Sequence, residues 1–167
     1  MRIRIIGVLL TLVMVGSVLV GAPTARAEEK TCRSSFGRVT FDNVRVPSGA
    51  TCTLNGTRIK GTLKVEGGAT LRASSVNVIG NIQTEGHRSV TINGGSVGGS
   101  IQIKQGGGGS VSGVRVTGDI QVFSNNGRIT ITNNRVNGNL QCKSNSPAPI
   151  GGGNVVQGNK QDQCRRL

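Results

Sequence analysis

Apolar and polar residues alternate along most of the chain, and a glycine that recurs at a nearly constant spacing organises the alternation. The repeated segments share the pattern apolar-x-Gly-x-apolar, and their central glycines are Gly61, Gly80, Gly99, Gly118, Gly138 and Gly158. The intervals between these glycines are 19, 19, 19, 20 and 20 residues. Self-similarity at a fixed short period indicates a repeat architecture.

Other residues keep a fixed distance from these glycines. Two residues before them stand Ile59, Val78, Val97, Val116, Val136 and Val156, and two residues after them stand Leu63, Ile82, Ile101, Ile120 and Leu140, with Lys160 in the last repeat. Alternation with period two is typical of strands that bury one face. Small residues five before the glycine predict corners with unusual backbone angles, and these are Gly56, Ser75, Gly94, Gly113 and Asn133.

A repeat of this length cannot bury its own apolar face, whereas stacked repeats can. The pattern therefore predicts an all-β fold, a single-stranded right-handed parallel β-helix with about six coils of 19–20 residues. A leucine-rich repeat has a similar period, but its leucine and asparagine pattern is missing. A propeller would need four strands in each blade and a longer period.

The first 27 residues have the features of a signal peptide. Arg2 and Arg4 precede an apolar run from 5 to 20, and Ala25-Arg26-Ala27 resembles a cleavage site. A membrane anchor is the alternative, but the run is shorter than the ~20 residues that a span needs. We expect a mature β-helix domain of residues 28–167 that is soluble, secreted or associated with the cell wall, without a further membrane span.

The four cysteines all lie in the predicted mature chain. In an exported protein an even number of cysteines indicates disulfides. Cys32 and Cys52 are 20 residues apart, and Cys142 and Cys164 are 22 apart, so each pair spans about one coil. Adjacent coils lie ~4.8 Å apart, which a disulfide can bridge. We predict one disulfide at each end of the solenoid.

Two stretches of the chain, residues 43–57 and 139–164, resemble a family of small secreted β-helix proteins from actinobacteria. The second stretch, with its Asn-Leu-Gln-Cys start and its Pro-Ala-Pro and triple-glycine segment, is the more specific. The resemblance implies export and the fold. It implies no activity and no functional residues.

The chain is strongly basic. Removal of Arg2, Arg4 and Arg26 with the signal peptide lowers the net charge from +13 to +10. A positive field favours anionic partners such as a cell-wall polymer or an acidic polysaccharide. The alternative is that the charge only keeps an edge-rich β protein soluble. We expect no nucleic-acid partner, because there is no aromatic platform for bases.

Two columns on the outward side are candidates for a binding face. Three residues after the glycines stand Lys64, Gln83, Gln102, Gln121 and Gln141, and three residues before them stand Arg58, Arg115 and Arg135. A regular polar face could bind a repeating polymer. Stacked amides can also hydrogen-bond to one another along the solenoid, and this could be their whole purpose.

The sequence offers no convincing catalytic, cofactor or metal site. Glu66 and Glu85 are one coil apart on an outward column and are the best candidates for paired carboxylates. A surface ladder in which Glu85 faces Lys104 is the favoured interpretation of this pair. The single histidine, His87, is predicted to be a solvated turn residue.

The main hypothesis is a non-enzymatic, secreted structural, adhesive or polymer-binding module of the cell envelope. One alternative is a minimal polysaccharide-active lyase or hydrolase that uses Glu66 and Glu85. Another alternative is an uncharacterised protein that self-assembles end to end through exposed strand edges.

Overall fold

The computed structural model describes residues 27–167, so the predicted signal peptide, apart from Ala27, lies outside the described residues. The described chain is all-β and contains twenty strands and no helix that could cross a membrane. In chain order the strands are β1 (Glu29–Thr31), β2 (Ser35–Phe36), β3 (Thr40–Phe41), β4 (Asn43–Val46), β5 (Thr51–Asn55), β6 (Arg58–Ile59), β7 (Leu63–Val65), β8 (Thr70–Val78), β9 (Ile82–Glu85), β10 (Ser89–Val97), β11 (Ile101–Lys104), β12 (Gly108–Ser112), β13 (Arg115–Val116), β14 (Ile120–Phe123), β15 (Ile129–Thr132), β16 (Arg135–Val136), β17 (Leu140–Lys143), β18 (Ile150–Gly152), β19 (Val155–Val156) and β20 (Lys160–Asp162).

The strands form three parallel ladders, each with one strand from every coil. The first ladder runs β1-β4-β7-β9-β11-β14-β17-β20. The second contains β2, β5, β12, β15 and β18, and the third contains β3, β6, β13, β16 and β19. The long strands β8 and β10 belong to both of these ladders, because each continues through the bend between them. The predicted parallel β-helix is confirmed.

The solenoid has about seven turns, one more than the sequence pattern counts. The additional turn is N-terminal and consists of β1, β2 and β3. Its inward positions are Phe36, in register with Leu54, and Phe41, in register with Ile59. Because this turn lacks the glycine-centred motif, an alignment on the glycines does not detect it.

The predicted inward columns form the core. The residues two before the motif glycines are buried from Ile59 to Val136, and those two after are buried from Leu63 to Leu140. Burial of a Val, Leu or Ile side chain contributes roughly 1.5–3 kcal/mol, so these columns supply most of the stability. In the last turn Val156 is only half-buried, and Lys160 stands in register with Leu140.

The motif glycines lie against the backbone of the preceding coil. The Gly80 amide donates to the Gly61 carbonyl over 3.1 Å, and the same bond recurs along the column to Gly158 at 2.9–3.1 Å. A Cβ at Gly80 would lie 2.5 Å from the Gly61 carbonyl oxygen. Close approach between coils therefore requires this column of glycines.

The predicted corner column has left-handed backbone throughout, as expected. Its φ angles are 66° at Gly56, 52° at Ser75, 65° at Gly94 and Gly113, and 56° at Asn133. Glycine and short polar residues tolerate this conformation at low cost. The small residues five before each motif glycine are thus explained by the turn between the second and third ladders.

Both predicted disulfides are formed. Cys32–Cys52 joins the first two turns with a Cα–Cα distance of 5.5 Å, and Cys142–Cys164 joins the last two with 5.2 Å. At the N-terminal end the rings of Phe36 and Phe41, 4.9 Å apart, pack against the core. At the C-terminal end Leu167 is almost fully buried. Each end is therefore covered by side chains as well as cross-linked.

Candidate polymer-binding surface

The outward side of the first ladder carries the predicted glutamine column, which we call the glutamine face. Side-chain amide hydrogen bonds link Gln102 to Gln121 (3.1 Å), Gln121 to Gln141 (3.3 Å) and Gln141 to Gln161 (3.2 Å). Gln161 extends the column by one residue beyond the sequence prediction. Because these amides are satisfied by one another, stacking explains the regularity of this face.

At the N-terminal end of the same face, the glutamine column gives way to charged residues. Arg45 and Lys64 occupy the register positions before Gln83. Arg45 forms ion pairs with Glu29 (2.9 Å) and Glu66 (3.5 Å). The predicted column members Lys64 and Gln83 are both exposed and take no part in the amide hydrogen bonds that begin at Gln102.

The two candidate catalytic carboxylates have different environments. Glu66 accepts hydrogen bonds from the Ser48 amide (3.2 Å) and from Arg45, both on the preceding coil. Glu85 stands in register with Lys104, as expected. The carboxylate of Glu66 therefore serves contacts between coils. Among residues 27–167 no group of three or more His, Cys, Asp or Glu side chains is arranged to hold a metal ion.

The arginine column is interrupted. Arg115 and Arg135 are register partners on adjacent coils. Arg58 is separated from them by Asn77 and Ser96, whose side chains form a hydrogen bond of 3.1 Å. The structure therefore brings together two of the three arginines that the sequence placed in one column.

The arginine pair borders two open cavities. On one side lies a groove of about 360 Å³ on the outward side of the third ladder, which we call the arginine groove. On the other side a cavity of about 240 Å³ follows the corner between the second and third ladders, beside Gly95, Gly113 and Asn133. The arginine groove is lined by Asn77, Ile79, Ser96, Thr117 and Asn137 as well as by the two arginines. Both arginine side chains are exposed.

Charge is distributed unevenly along the solenoid. Residues 27–85, the N-terminal half, contain eight Lys and Arg and five Asp and Glu, whereas residues 86–167, the C-terminal half, contain nine and two. The three ion pairs found among the described residues all lie in the N-terminal half. One of them, Lys60–Asp42, holds the pKa of Asp42 below its ordinary value through a hydrogen bond from the ammonium group.

The two acids of the C-terminal half form no ion pair within residues 27–167. One oxygen of Asp119 accepts hydrogen bonds from the Asn139 amide (2.6 Å) and from the Asn139 side chain (3.3 Å), so it is tied to the next coil. The other acid, Asp162, lies in the last strand at the C-terminal end. The cations of the C-terminal half, including the arginine pair, form no ion pair within the part of the chain that the structure describes.

Buried amide ladders are a feature that the sequence analysis missed. At the corner between the first and second ladders, Asn125 donates to the Ile103 carbonyl (3.0 Å) and to Asn145 (2.9 Å), and it accepts from the Gly106 amide (3.0 Å). Asn134 and Asn154 repeat the arrangement at the corner between the second and third ladders. The signal was present, since these asparagines lie seven residues after and four residues before the motif glycines.

The prediction for His87 is wrong. The side chain is buried, and its Nδ1 lies 3.0 Å from the Thr84 hydroxyl. Its ring occupies the corner that Asn125 occupies two coils later, and it packs over Gly106, where a Cβ would collide with the ring. Its Nε2 has no hydrogen-bond partner among the described residues. Burial lowers the pKa of His87, and the Gly107 backbone partly offsets this effect.

Comparison of the chain with protein-family models, with curated proteins and with solved structures found no match. The residues themselves must therefore carry any functional argument. The resemblance to small secreted actinobacterial proteins stays a prediction.

Proposed function

We propose that this chain is an exported, non-enzymatic β-solenoid that binds anionic polymer in the cell envelope. The observation that carries the proposal is the excess of unpaired cations on the C-terminal half, where nine Lys and Arg face two acids. A field of one sign attracts and retains polyanions. None of these cations forms an ion pair within residues 27–167, so ion pairing within the fold does not account for them.

Export is supported by two features of the chain. Residues 1–27 have the charge, apolar run and small-residue exit of a signal peptide. All four cysteines of the remaining chain are paired, and disulfides of this kind persist in oxidising compartments. Covalent links at both ends suit a rod that works outside the cell without chaperones.

A binding role is favoured over catalysis by the engagement of the acidic side chains. Glu66, Asp42 and Asp119 are each held by cations or amides of neighbouring coils. Glycoside cleavage requires two carboxylates that are free to act on one bond from opposite sides. Both oxygens of Glu66 instead accept hydrogen bonds, one from Arg45 and one from the Ser48 amide, which supports a structural role for this residue.

The experiment is sedimentation of the purified mature protein with isolated cell walls at about 0.01 M and about 1 M salt, where the Debye length falls from roughly 30 Å to 3 Å. We expect retention at low salt and release at high salt. Walls stripped of their anionic polymers are the control and should retain much less protein. Absence of retention at low salt would overturn the proposal.

A further inference from the structure

The stacked pair Arg115 and Arg135 is an outward feature of the C-terminal half that packing does not explain. Like charges placed directly opposite on neighbouring strands destabilise a sheet. The two residues are register partners and make no ion pair within residues 27–167. Two coils earlier in the same column, Asn77 and Ser96 form a neutral hydrogen-bonded pair. The same column can therefore hold a neutral pair, but in the later coils it holds two arginines.

The glutamine face offers a direct contrast. There Lys104 and Lys143 occupy one outward column of the C-terminal half, but Phe123 stands between them in register. The Lys104 ammonium lies 6.0 Å from the centre of the Phe123 ring, a favourable cation–π contact. Within the C-terminal half, like charges are therefore separated on the first ladder and adjacent on the third.

The arginine groove has the shape for an extended chain. Its lining runs from Asn77 to Arg135 across four coils, which corresponds to about 14 Å along the solenoid axis. Gly98 forms part of the floor between Ile79 and Thr117, and close contact with the Ile79 backbone excludes a side chain there. Hydroxyl and amide groups from Ser96, Thr117 and Asn137 line the rest.

We propose that the arginine groove is the polymer-binding site and that Arg115 and Arg135 together bind the phosphate groups of a linear polymer that carries no bases. The two unesterified oxygens of a chain phosphate point in different directions from the tetrahedral phosphorus, so each can accept hydrogen bonds from a different guanidinium group. Two arginines on adjacent coils therefore match phosphate. No aromatic side chain lines the groove, so stacking of bases has no platform there.

This inference rests on the proposed function, since it assigns a site and a ligand chemistry to it. The test compares the variant Arg115→Gln/Arg135→Gln with the matched control Lys104→Gln/Lys143→Gln, which removes the same charge from the glutamine face. The probe is short linear polyphosphate, with polygalacturonate and single-stranded DNA in parallel. A charge-retaining variant, Arg115→Lys/Arg135→Lys, tests the need for the guanidinium fork.

We expect the arginine-to-glutamine variant to bind polyphosphate at least about tenfold more weakly and the lysine control less than about threefold more weakly. The charge-retaining variant should fall between them. The melting temperature of the arginine-to-glutamine variant should be unchanged or higher, because like-charge repulsion is relieved. A lower melting temperature would mean that the pair stabilises the fold and would count against the inference.

Equal loss in the two glutamine variants would overturn the site, because net charge alone would then account for binding. Wild-type protein that binds polygalacturonate as tightly as polyphosphate would overturn the preference for phosphate. Tighter binding to single-stranded DNA would overturn the exclusion of bases. Cell-wall sedimentation of the same variants separates the two proposals. If wild type and arginine variant are retained equally, the site is wrong while the proposed function stands.

Discussion

The two halves of the solenoid bury different residues at the corner between the first and second ladders. Where the first ladder turns into the second, the N-terminal half buries Ala50 and Ala69, whereas the C-terminal half buries Asn125 and Asn145. Alanine corners leave the backbone groups to bond with one another. Asparagine corners add side-chain hydrogen bonds to the amides and carbonyls of neighbouring coils.

The two halves also differ in how their surface charges are paired. The N-terminal half uses its charges in ion pairs between coils, such as Arg45 with Glu29 and Glu66. The C-terminal half has amide ladders at its buried corners, and its surface cations form no ion pair among residues 27–167. A solenoid whose coils are fixed by buried amides has outward positions free for a ligand, and the arginine pair lies on this half.

The comparison is challenged most strongly by removing an amide rung. Asn134→Ala deletes the partners of the buried Val114 amide (3.0 Å) and of the Val111 carbonyl (2.9 Å). Two buried groups left without partners should lower the free energy of unfolding by about 3–5 kcal/mol. Val76→Ala, in the same column of the N-terminal half, creates only a small cavity and should cost about 2 kcal/mol.

Chemical denaturation of both variants, with disulfides intact, measures the difference. If Asn134→Ala proves no more damaging than Val76→Ala, the amide ladder is not what holds the C-terminal coils together. The inference that its surface charges are free of a structural role would then lose its basis.

The columns that could be predicted are those with the same chemistry in every coil. Val78, Val97 and Val116 are interchangeable, so alignment on the glycines reveals that they share the core. Seven residues after the motif glycines, the corner column changes identity from Gly68 to His87, Gly106, Asn125 and Asn145. Such a column is hard to recognise in one sequence, because only its last two members are alike. The column pattern therefore does not indicate that His87 is buried.

Register predicted neighbours but not what those neighbours do. The sequence placed Glu66 beside Glu85, and the structure shows that Glu66 bonds to the coil on its other side. Likewise three arginines shared a predicted column, but a groove and a pair form only around Arg115 and Arg135. Hydrogen-bond direction and surface shape depend on side-chain conformation, which column counting does not contain.

His87 lies where the alanine corners change to asparagine corners, and it should make stability depend on pH. Burial lowers its pKa in the folded chain, so the unfolded chain binds the proton more readily. Stability is therefore fully present above the unfolded pKa of about 6.5 and falls as the pH drops below it, by at most about 1.4 kcal/mol per pH unit. The variant His87→Asn carries the residue used two coils later and cannot titrate in this range.

Unfolding midpoints in denaturant between pH 7.5 and about 5, above the range where most carboxylates titrate, test this prediction. The wild-type midpoint should fall with decreasing pH, while that of His87→Asn should stay nearly constant. Parallel curves for the two proteins would mean that another group causes the pH dependence and that the buried imidazole is tolerated in its charged form.

The smallest expected effects are two changes in stability of opposite sign, one in each half. Glu66→Gln removes the carboxylate that pairs with Arg45, and both side chains are partly exposed, so the loss should be at most about 1 kcal/mol. Arg135→Gln removes a charge that faces only Arg115 across the coils, so stability should rise by about 0.2–1 kcal/mol.

Thermal unfolding of both variants at low and high salt measures these changes. Added salt should shrink both differences, because it screens the attraction in the ion pair and the repulsion between the arginines alike. If the two stability changes have opposite signs, the charge removed stabilises the N-terminal half in one case and destabilises the C-terminal half in the other. A lower stability of Arg135→Gln would instead mean that Arg135 helps to hold the coils together. The argument that Arg115 beside it serves binding would then fail.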